Sequence, residues 1–472
     1  MSSLAVRELY RTISKTKGHL VQSREIATTC VCPYLFKMCY PFGVPPGEQD
    51  YLIANTVHDI MSLAMPTTIL HNWQQDPTNF ENLARSIDRD SSAIVEKAIQ
   101  DAKDVANREG KTIPTYFEYD VQDRFHGLLI GISKKLMKKY SRPKRAITEI
   151  TITNVKKFQE GRIDAFLEFD DDCYGLIDWK TNDIDKFKGS GIDKWQLIAN
   201  FLLANYRYTG NEDNWSKCLF GSVVFYENAY FPRLPLKQEK IDKVKYDRKF
   251  AHDVLCGGSP YTQKPAFCPV CDREGESSSD CHFYREDSRM SGQGTLPPNY
   301  ASIRRHLIKR RYLVLDERSE THKHKFVISN MIERLGESIA LQELEKSDVV
   351  YSGFRLGSTH ENLITLVREV SDNPITFLEP SKVVRIIGKE DSRPLLGCIN
   401  EKGFVKDATE SKLVVSLDKK IYADRAKEQL LNFPIVIIRD ENNLTRRTLE
   451  PMHRFHRLAA DLMLPRRFFD NN

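Results

Sequence analysis

Along residues 51–65 (YLIANTVHDIMSLAM) apolar side chains recur at Ile53, Val57, Ile60 and Met61, the spacing of one helix face, with His58 beside the stripe. SSAIVEKAIQDAKDVANREG (91–110) repeats the pattern and predicts a second helix, ended by Gly110. From about residue 114 the period shortens. TYFEYDVQD, HGLLIGI, AITEITITNV, RIDAFLEFD and CYGLIDWKT are β-rich runs between turn residues and predict short strands. LLIGISKKLMKK fits either a strand leaving the sheet or a short helix. KWQLIANFLLANYRY (194–208) returns to helix and SKCLFGSVVFYE (216–227) to strand. The order helix, mixed sheet, helix, strand predicts an α/β core with a helical preface.

Residues 256–297 are rich in Gly, Pro, Ser and Cys and hold little apolar material, so order there requires an external tie. Residues 301–344 read as charged helix. DVVYSGFRL, NLITLVREV, SKVVRIIG, SKLVVSLD and FPIVIIRD, all within 348–440, predict a separate, mainly β unit and a candidate barrel. EPMHRFHRLAADLML closes the chain as an amphipathic stretch. The expected division is 1–298 for the α/β unit, 299–345 for a helical connector, and 346–472 for the β unit with its terminal helix. No GxxxxGK[ST] run is present, which excludes a P-loop motor in this chain.

A chain of 472 residues suggests about two or three domains, and a hydrophobic share of 40% suffices for their cores. No run of eighteen apolar residues predicts a membrane span. The first twenty residues lack the apolar stretch of a signal peptide, so the expected location is cytoplasmic. A net charge of +5 is compatible with nucleic acid without requiring it. Ten cysteines without an export signal read as thiols, some of them candidate metal ligands, rather than as a disulfide framework.

GRIDAFLEFDDDCYGLIDWKT is the run that carries chemistry. Two antiparallel strands joined by the polar DDDC turn would bring Asp164 beside Asp178, fourteen residues later. Strand alternation puts Asp178 and Lys180 on one face and Trp179 on the other. Converging carboxylates repel unless a hard divalent cation, Mg²⁺ or Mn²⁺, lies between them. Such an ion would activate water and offset charge on a scissile phosphate, with Lys180 positioning the water and the Trp179 carbonyl completing the coordination. The plainer reading is a surface hairpin, since Asp is common in turns. The apolar flanks of Asp178 argue against it, because a buried, unpaired carboxylate is costly. Glu118 and Glu149 read as residues of preceding strands, solvated rather than part of a site.

Gly161–Arg162–Ile163–Asp164 followed by Leu176–Ile177–Asp178–Trp179–Lys180–Thr181 resembles the GxxD and (D/E)xK motifs of the PD-(D/E)XK nuclease superfamily, most closely its RecB-like branch. Ala54–Asn55–Thr56–Val57–His58 is similar to that branch's GxxxH helix, with Ala for Gly. Gln196–Leu197–Ile198–Ala199–Asn200 is similar to its QxxxY, with Asn for Tyr. The resemblance spans about residues 54–200 and implies a restriction-endonuclease-like mixed central sheet flanked by helices. It further implies metal ligation by His58, Asp164 and Asp178, a catalytic Lys180, and a Gln196 that orients substrate or lysine.

Cys268–Pro269–Val270–Cys271 is a CxxC knuckle with Cys281 downstream, a spacing that suits zinc or one side of an iron–sulphur cluster. Cys256 or His282 could supply a fourth ligand for a local zinc site. Cys32–Pro33–Tyr34–Leu35–Phe36 resembles the first-cysteine motif of CRISPR-associated, AddB-type and replication nuclease–helicase nuclease domains. That likeness implies that Cys32, Cys268, Cys271 and Cys281 hold a structural [4Fe–4S] cluster, with structural Zn²⁺ as the alternative. Such a tie would close a loop of roughly 230 residues and staple the helical preface to the core.

KKLMKKYSRPKR (134–145) carries seven basic residues with Tyr140 among them, and RRHLIKRRY (304–312) is a second basic run. Either could follow a phosphate backbone, and either could be a solvated face. The expectation is Mg²⁺/Mn²⁺-dependent hydrolysis of DNA, with single-stranded or end-containing substrates and a helicase or other partner in trans implied by the resemblance. An RNA-processing or restriction-type nuclease shares the same centre. A degenerate nuclease-fold DNA-binding subunit and a zinc-stabilised scaffold are the rivals without catalysis.

Overall fold

The computed structural model describes residues 19–33, 36, 51–66, 70–73, 80–108, 110, 112–181, 191–225, 228–256, 322–369, 375 and 378–440. They form a mixed α/β structure with two sheets.

The first sheet has six strands: β1 (Val21–Gln22), β2 (Arg145–Asn154), β3 (Gln159–Glu168), β4 (Tyr174–Trp179), β5 (Cys218–Phe225) and β6 (Asn228–Tyr230). β3 pairs antiparallel with β2 along one edge and with β4 on the other, and β4 continues in parallel to β5. The DDD turn at 170–172 joins β3 to β4, with Asp171 and Asp172 in the left-handed region that Asp tolerates better than most residues.

Helices cover both faces. α1 (Ser23–Val31), α5 (Ile192–Thr209) and α6 (Gln238–Leu255) share a core with Leu176, Val223 and Phe225. α2 (Tyr51–Ala64), α3 (Phe80–Arg108) and α4 (Phe117–Ile132) share another with Ile177, Trp179 and Val224. The alternation in β4 and β5 therefore sorts side chains between two helical layers.

α4 corrects an expectation. TYFEYDVQD and HGLLIGI are one helix rather than two strands, and Glu118 lies in its first turn. Phe117, Val121, Phe125, Leu128, Leu129 and Ile132 are buried at helical spacing, which outweighs the β preference of the aromatic residues. LLIGISKKLMKK follows suit: the helix ends in a π turn at Ser133–Met137.

The second sheet is a closed antiparallel barrel of β7 (Val350–His360), β8 (Leu363–Val367), β9 (Val383–Gly388), β10 (Ile399–Ala408), β11 (Lys412–Ser416) and β12 (Ile435–Asp440). Closure leaves no unpaired edge. Two elements were absent from the sequence reading. β10 alternates through buried Ile399, Glu401, Gly403 and Val405, and α9 (Lys420–Leu430) sits between β11 and β12. Helix α7 (322–335) and α8 (Glu337–Glu345) lead into the barrel and pack on it through Ile328, Met331, Ala340 and Leu344.

The barrel core and the α5-side core are continuous. Arg207 of α5, fully buried, donates to Glu390 at 2.7 Å and to the Gly397 carbonyl, both in the β9–β10 connection. Arg145 joins Glu168 and Glu390 at 3.0 Å each. One of the seven basic residues of the 134–145 run is thus an interface ion pair. No helix among the described residues is long and apolar enough to cross a membrane.

Candidate metal centre

Three carboxylates stand in a row across three adjacent strands. Thr148 pairs with Ala165 and Ile150 with Ile163, which sets Glu149 opposite Asp164. Ala165 pairs with Ile177, so the next step of the register sets Asp164 opposite Asp178. Like charges in such positions repel. All three are nevertheless buried.

The pleat breaks at this row. Ile147 and Ile150, three residues apart, both join the α5-side core, as do Ile163 and Phe166, where strict alternation would separate each pair. Glu149 carries the break in β2 with φ of 55°, the left-handed region that non-glycine residues seldom adopt.

His58 arrives from α2. Its Nδ1 accepts a 3.0 Å hydrogen bond from Trp179 Nε1 and lies 3.8 Å from Glu149 Oε1. The Trp179 backbone N–H donates to Asp164 Oδ2 at 2.9 Å. Ligand atoms of His58, Glu149 and Asp164 all lie within 4.8 Å of one another, close enough for one cation to bridge. Lys180 Nζ lies 2.9 Å from Asp178 Oδ2 and 3.6 Å from Asp193 Oδ1, at the start of α5.

The protonation preferences diverge. Burial pushes the Asp164 carboxyl up to about 8, reinforced by Asp178 and Glu149. Burial also raises Asp178, against the pull of Lys180. At Glu149 burial acts upward too, but Arg162 and His58 overcome it and bring the group down to about 2. Burial works against a charged His58, yet Asp164 and Glu149 lift it above its ordinary value. Burial likewise opposes the Lys180 charge, and Asp178, Asp193 and Asp164 more than offset it.

Glu149 Oε1 and both Asp178 carboxylate oxygens are buried without a hydrogen-bond partner. Lys180 offsets the Asp178 charge as an ion pair at 2.9 Å from Oδ2. An unsatisfied buried acceptor costs about 1–3 kcal/mol, more when charged. A divalent cation satisfies such acceptor-only atoms, and one imidazole with carboxylates is a donor set for Mg²⁺ or Mn²⁺. The residues fit the ion.

Of the expected ligands, His58 and Asp164 come within reach of one cation, together with Glu149; Asp178 lies outside that group of three and pairs with Lys180. Trp179 reaches the site through its indole N–H and its backbone N–H. Glu149 overturns its reading as a solvated residue: its side chain is 3% exposed and faces His58. The signal was a carboxylate in an otherwise apolar and threonine-rich strand, in register with Asp164. Asp193 was missed as well.

Gln196 is half-buried on α5 and makes no hydrogen bond or ion pair among the described residues; Asp193, one turn earlier, closes on Lys180 instead. Asn200 is buried 3.2 Å from where a Cβ on Gly161 would sit, so it packs the GRID strand rather than reaching the centre. The same virtual Cβ would meet Ser23 Oγ at 2.4 Å and Leu203 Cδ1 at 2.6 Å, which explains a glycine at 161.

No protein-family model and no curated protein matches this chain.

Cys32 is buried at the end of α1, its N–H donating to Thr28 O at 2.8 Å. Cys268, Cys271, Cys281 and His282 lie outside the described residues, as does the 304–312 run. Burial raises the thiols of Cys30 and Cys398 and pushes Cys218 up to about 12, which keeps all three protonated in the metal-free chain. Cys256 ends α6 with Sγ 3.5 Å from His252 Nε2.

Proposed function

We propose that this protein is a Mg²⁺/Mn²⁺-dependent deoxyribonuclease built on a restriction-endonuclease-like sheet, acting on single-stranded or end-containing DNA. The observation that carries the reading is the buried row Glu149–Asp164–Asp178, in which Glu149 and Asp164 bring ligand atoms within 4.8 Å of His58 and Asp178 pairs with Lys180.

His58, Glu149, Asp164 and Asp178 would hold the ion. When bound it supplies Lewis-acid chemistry, polarising a phosphate and making water a better nucleophile at neutral pH. Lys180, kept charged by Asp178 and Asp193, is no proton acceptor near neutrality. It donates to the attacking water or a phosphate oxygen and stabilises charge that builds there. Trp179 orients His58 from one side and Asp164 from the other. The DNA preference rests on the motif likeness of Gly161–Asp164 and Asp178–Lys180. The [4Fe–4S] proposal on Cys32, Cys268, Cys271 and Cys281, with zinc as its alternative, rests on that likeness too and adds no step to the chemistry.

A second reading, a DNA-binding subunit with a degenerate centre, is favoured by Gln196 and Asn200, neither of which engages Lys180. End-labelled single-stranded DNA incubated with the full chain and Mn²⁺ separates the two. Cleavage lost in both Asp178→Ala and Lys180→Ala establishes the nuclease. DNA binding without cleavage by the unaltered protein favours the second reading.

A further inference from the structure

Helix α9 of the barrel reaches the irregular stretch of β2 in the carboxylate row. Gln429 Nε2 donates to Thr148 Oγ1 at 2.8 Å and lies 3.4 Å from the Thr148 carbonyl. Thr148 Oγ1 in turn donates to the Ser62 carbonyl of α2 at 2.7 Å. Gln429, Thr148 and Ser62 are all buried. Thr148 is thereby tied on both sides, by α2 and by α9, immediately before the left-handed Glu149. A non-glycine residue keeps that conformation only where its surroundings over-determine it. One turn earlier on α9, Arg425 is held by both Glu401 oxygens at 2.8 Å, and its charge adds to that of Arg162 at Glu149.

We propose that Gln429 is a positioning residue: by gripping Thr148, α9 holds the bend at Glu149 that aims Oε1 at His58, and so makes the C-terminal barrel part of the metal centre. The inference rests on the reading of this row as a metal site. Without the grip, β2 would relax toward regular pleating, and regular alternation turns a residue's side chain to the other face. Outer-shell groups that orient ligands alter metal affinity by about 10–100-fold when removed.

The test is Mn²⁺ affinity of the full chain by electron paramagnetic resonance, alongside thermal unfolding. Gln429→Leu keeps the volume but removes the amide, and its Mn²⁺ Kd should rise about tenfold or more. Lys97→Met is the control: it removes the ion pair from α3 to Asp424 of α9 without touching Thr148. It should lower Tm and leave the Kd unchanged, whereas a merely structural Gln429 would behave in the same way as Lys97. If Gln429→Leu does not fold, Gln429→Asn draws the amide back from Thr148 and should move the Kd in the same direction. Wild-type affinity in the Gln429 variants overturns the proposal. Failure of the unaltered protein to bind Mn²⁺ defeats the metal reading instead. A crystal structure of Gln429→Leu then decides the positioning role, which stands if Glu149 leaves its left-handed conformation and falls if it does not.

Discussion

Glu149 and Asp164 face each other across β2 and β3 with opposite protonation preferences, about 2 for the one and about 8 for the other. Arg162 and His58 compensate Glu149, while Asp164 sits between two other acids. A cation entering the row displaces a proton from Asp164. Mn²⁺ affinity should therefore rise with pH, by about tenfold per unit below the Asp164 value, and level off above about 8. Calorimetric titration near neutrality in buffers of different ionisation enthalpy should show at least about one proton released per ion, the Asp164 proton plus the share held by His58. No proton release would place the ion elsewhere.

The same shift fixes the sign of an effect on stability. Asp164 has a folded pKa above its unfolded value, so its contribution is full below the unfolded pKa and is lost as pH rises through about 8. Metal-free protein should accordingly weaken from this group as pH rises from about 4 to about 8 and change little above that. Asp164→Asn removes that loss and should leave the metal-free chain clearly more stable than the unaltered protein at about pH 9 while abolishing Mn²⁺ binding. Urea unfolding of both forms at neutral and alkaline pH checks it; equal stabilities at the higher pH would contradict the burial argument.

His58 Nδ1 has one lone pair, and Trp179 Nε1–H occupies it at 3.0 Å. A cation taking Nδ1 must displace the indole. Mg²⁺ should then change the tryptophan emission of the unaltered protein and leave that of Trp179→Phe nearly flat, although Trp73, Trp195 and Trp215 remain in that variant. An identical response in both would mean that the ion does not use Nδ1.

Arg207 joins the two sheets. Its guanidinium is fully buried between Glu168 and Glu390. Removing it leaves Glu168 and Glu390 with Arg145 as their remaining cation, so Arg207→Met should cost less than the about 3–5 kcal/mol of a fully uncompensated buried charge. Adding Glu390→Gln should recover part of that loss, in a double-mutant cycle read by denaturant unfolding. Additive losses would show that the two residues are energetically independent.

Much of the centre was legible because it is local. Asp164, the DDDC turn and Asp178 lie within one hairpin, and apolar residues around Asp178 already implied a buried acid. The helical stripe placed His58 on a helix, and only the likeness of Ala54–His58 to a GxxxH helix singled it out as a ligand. α4 was misread because aromatic and β-branched residues suit strands, although its buried positions recur at helical spacing. Glu149 was discounted because strand alternation has no term for a left-handed residue that breaks the pleat.

The sequence by itself determined the hairpin that pairs two of the acids and the strand-rich character of the C-terminal third. Those depend on short-range periodicity and on turn residues, which the chain encodes locally. Only the tertiary structure decided that Glu149 joins the row, that Asp193 takes the place beside Lys180, and that α9 grips Thr148 from 281 residues away. Each depends on packing between distant segments, where a buried charge or amide settles against whichever partner the assembled core brings within reach.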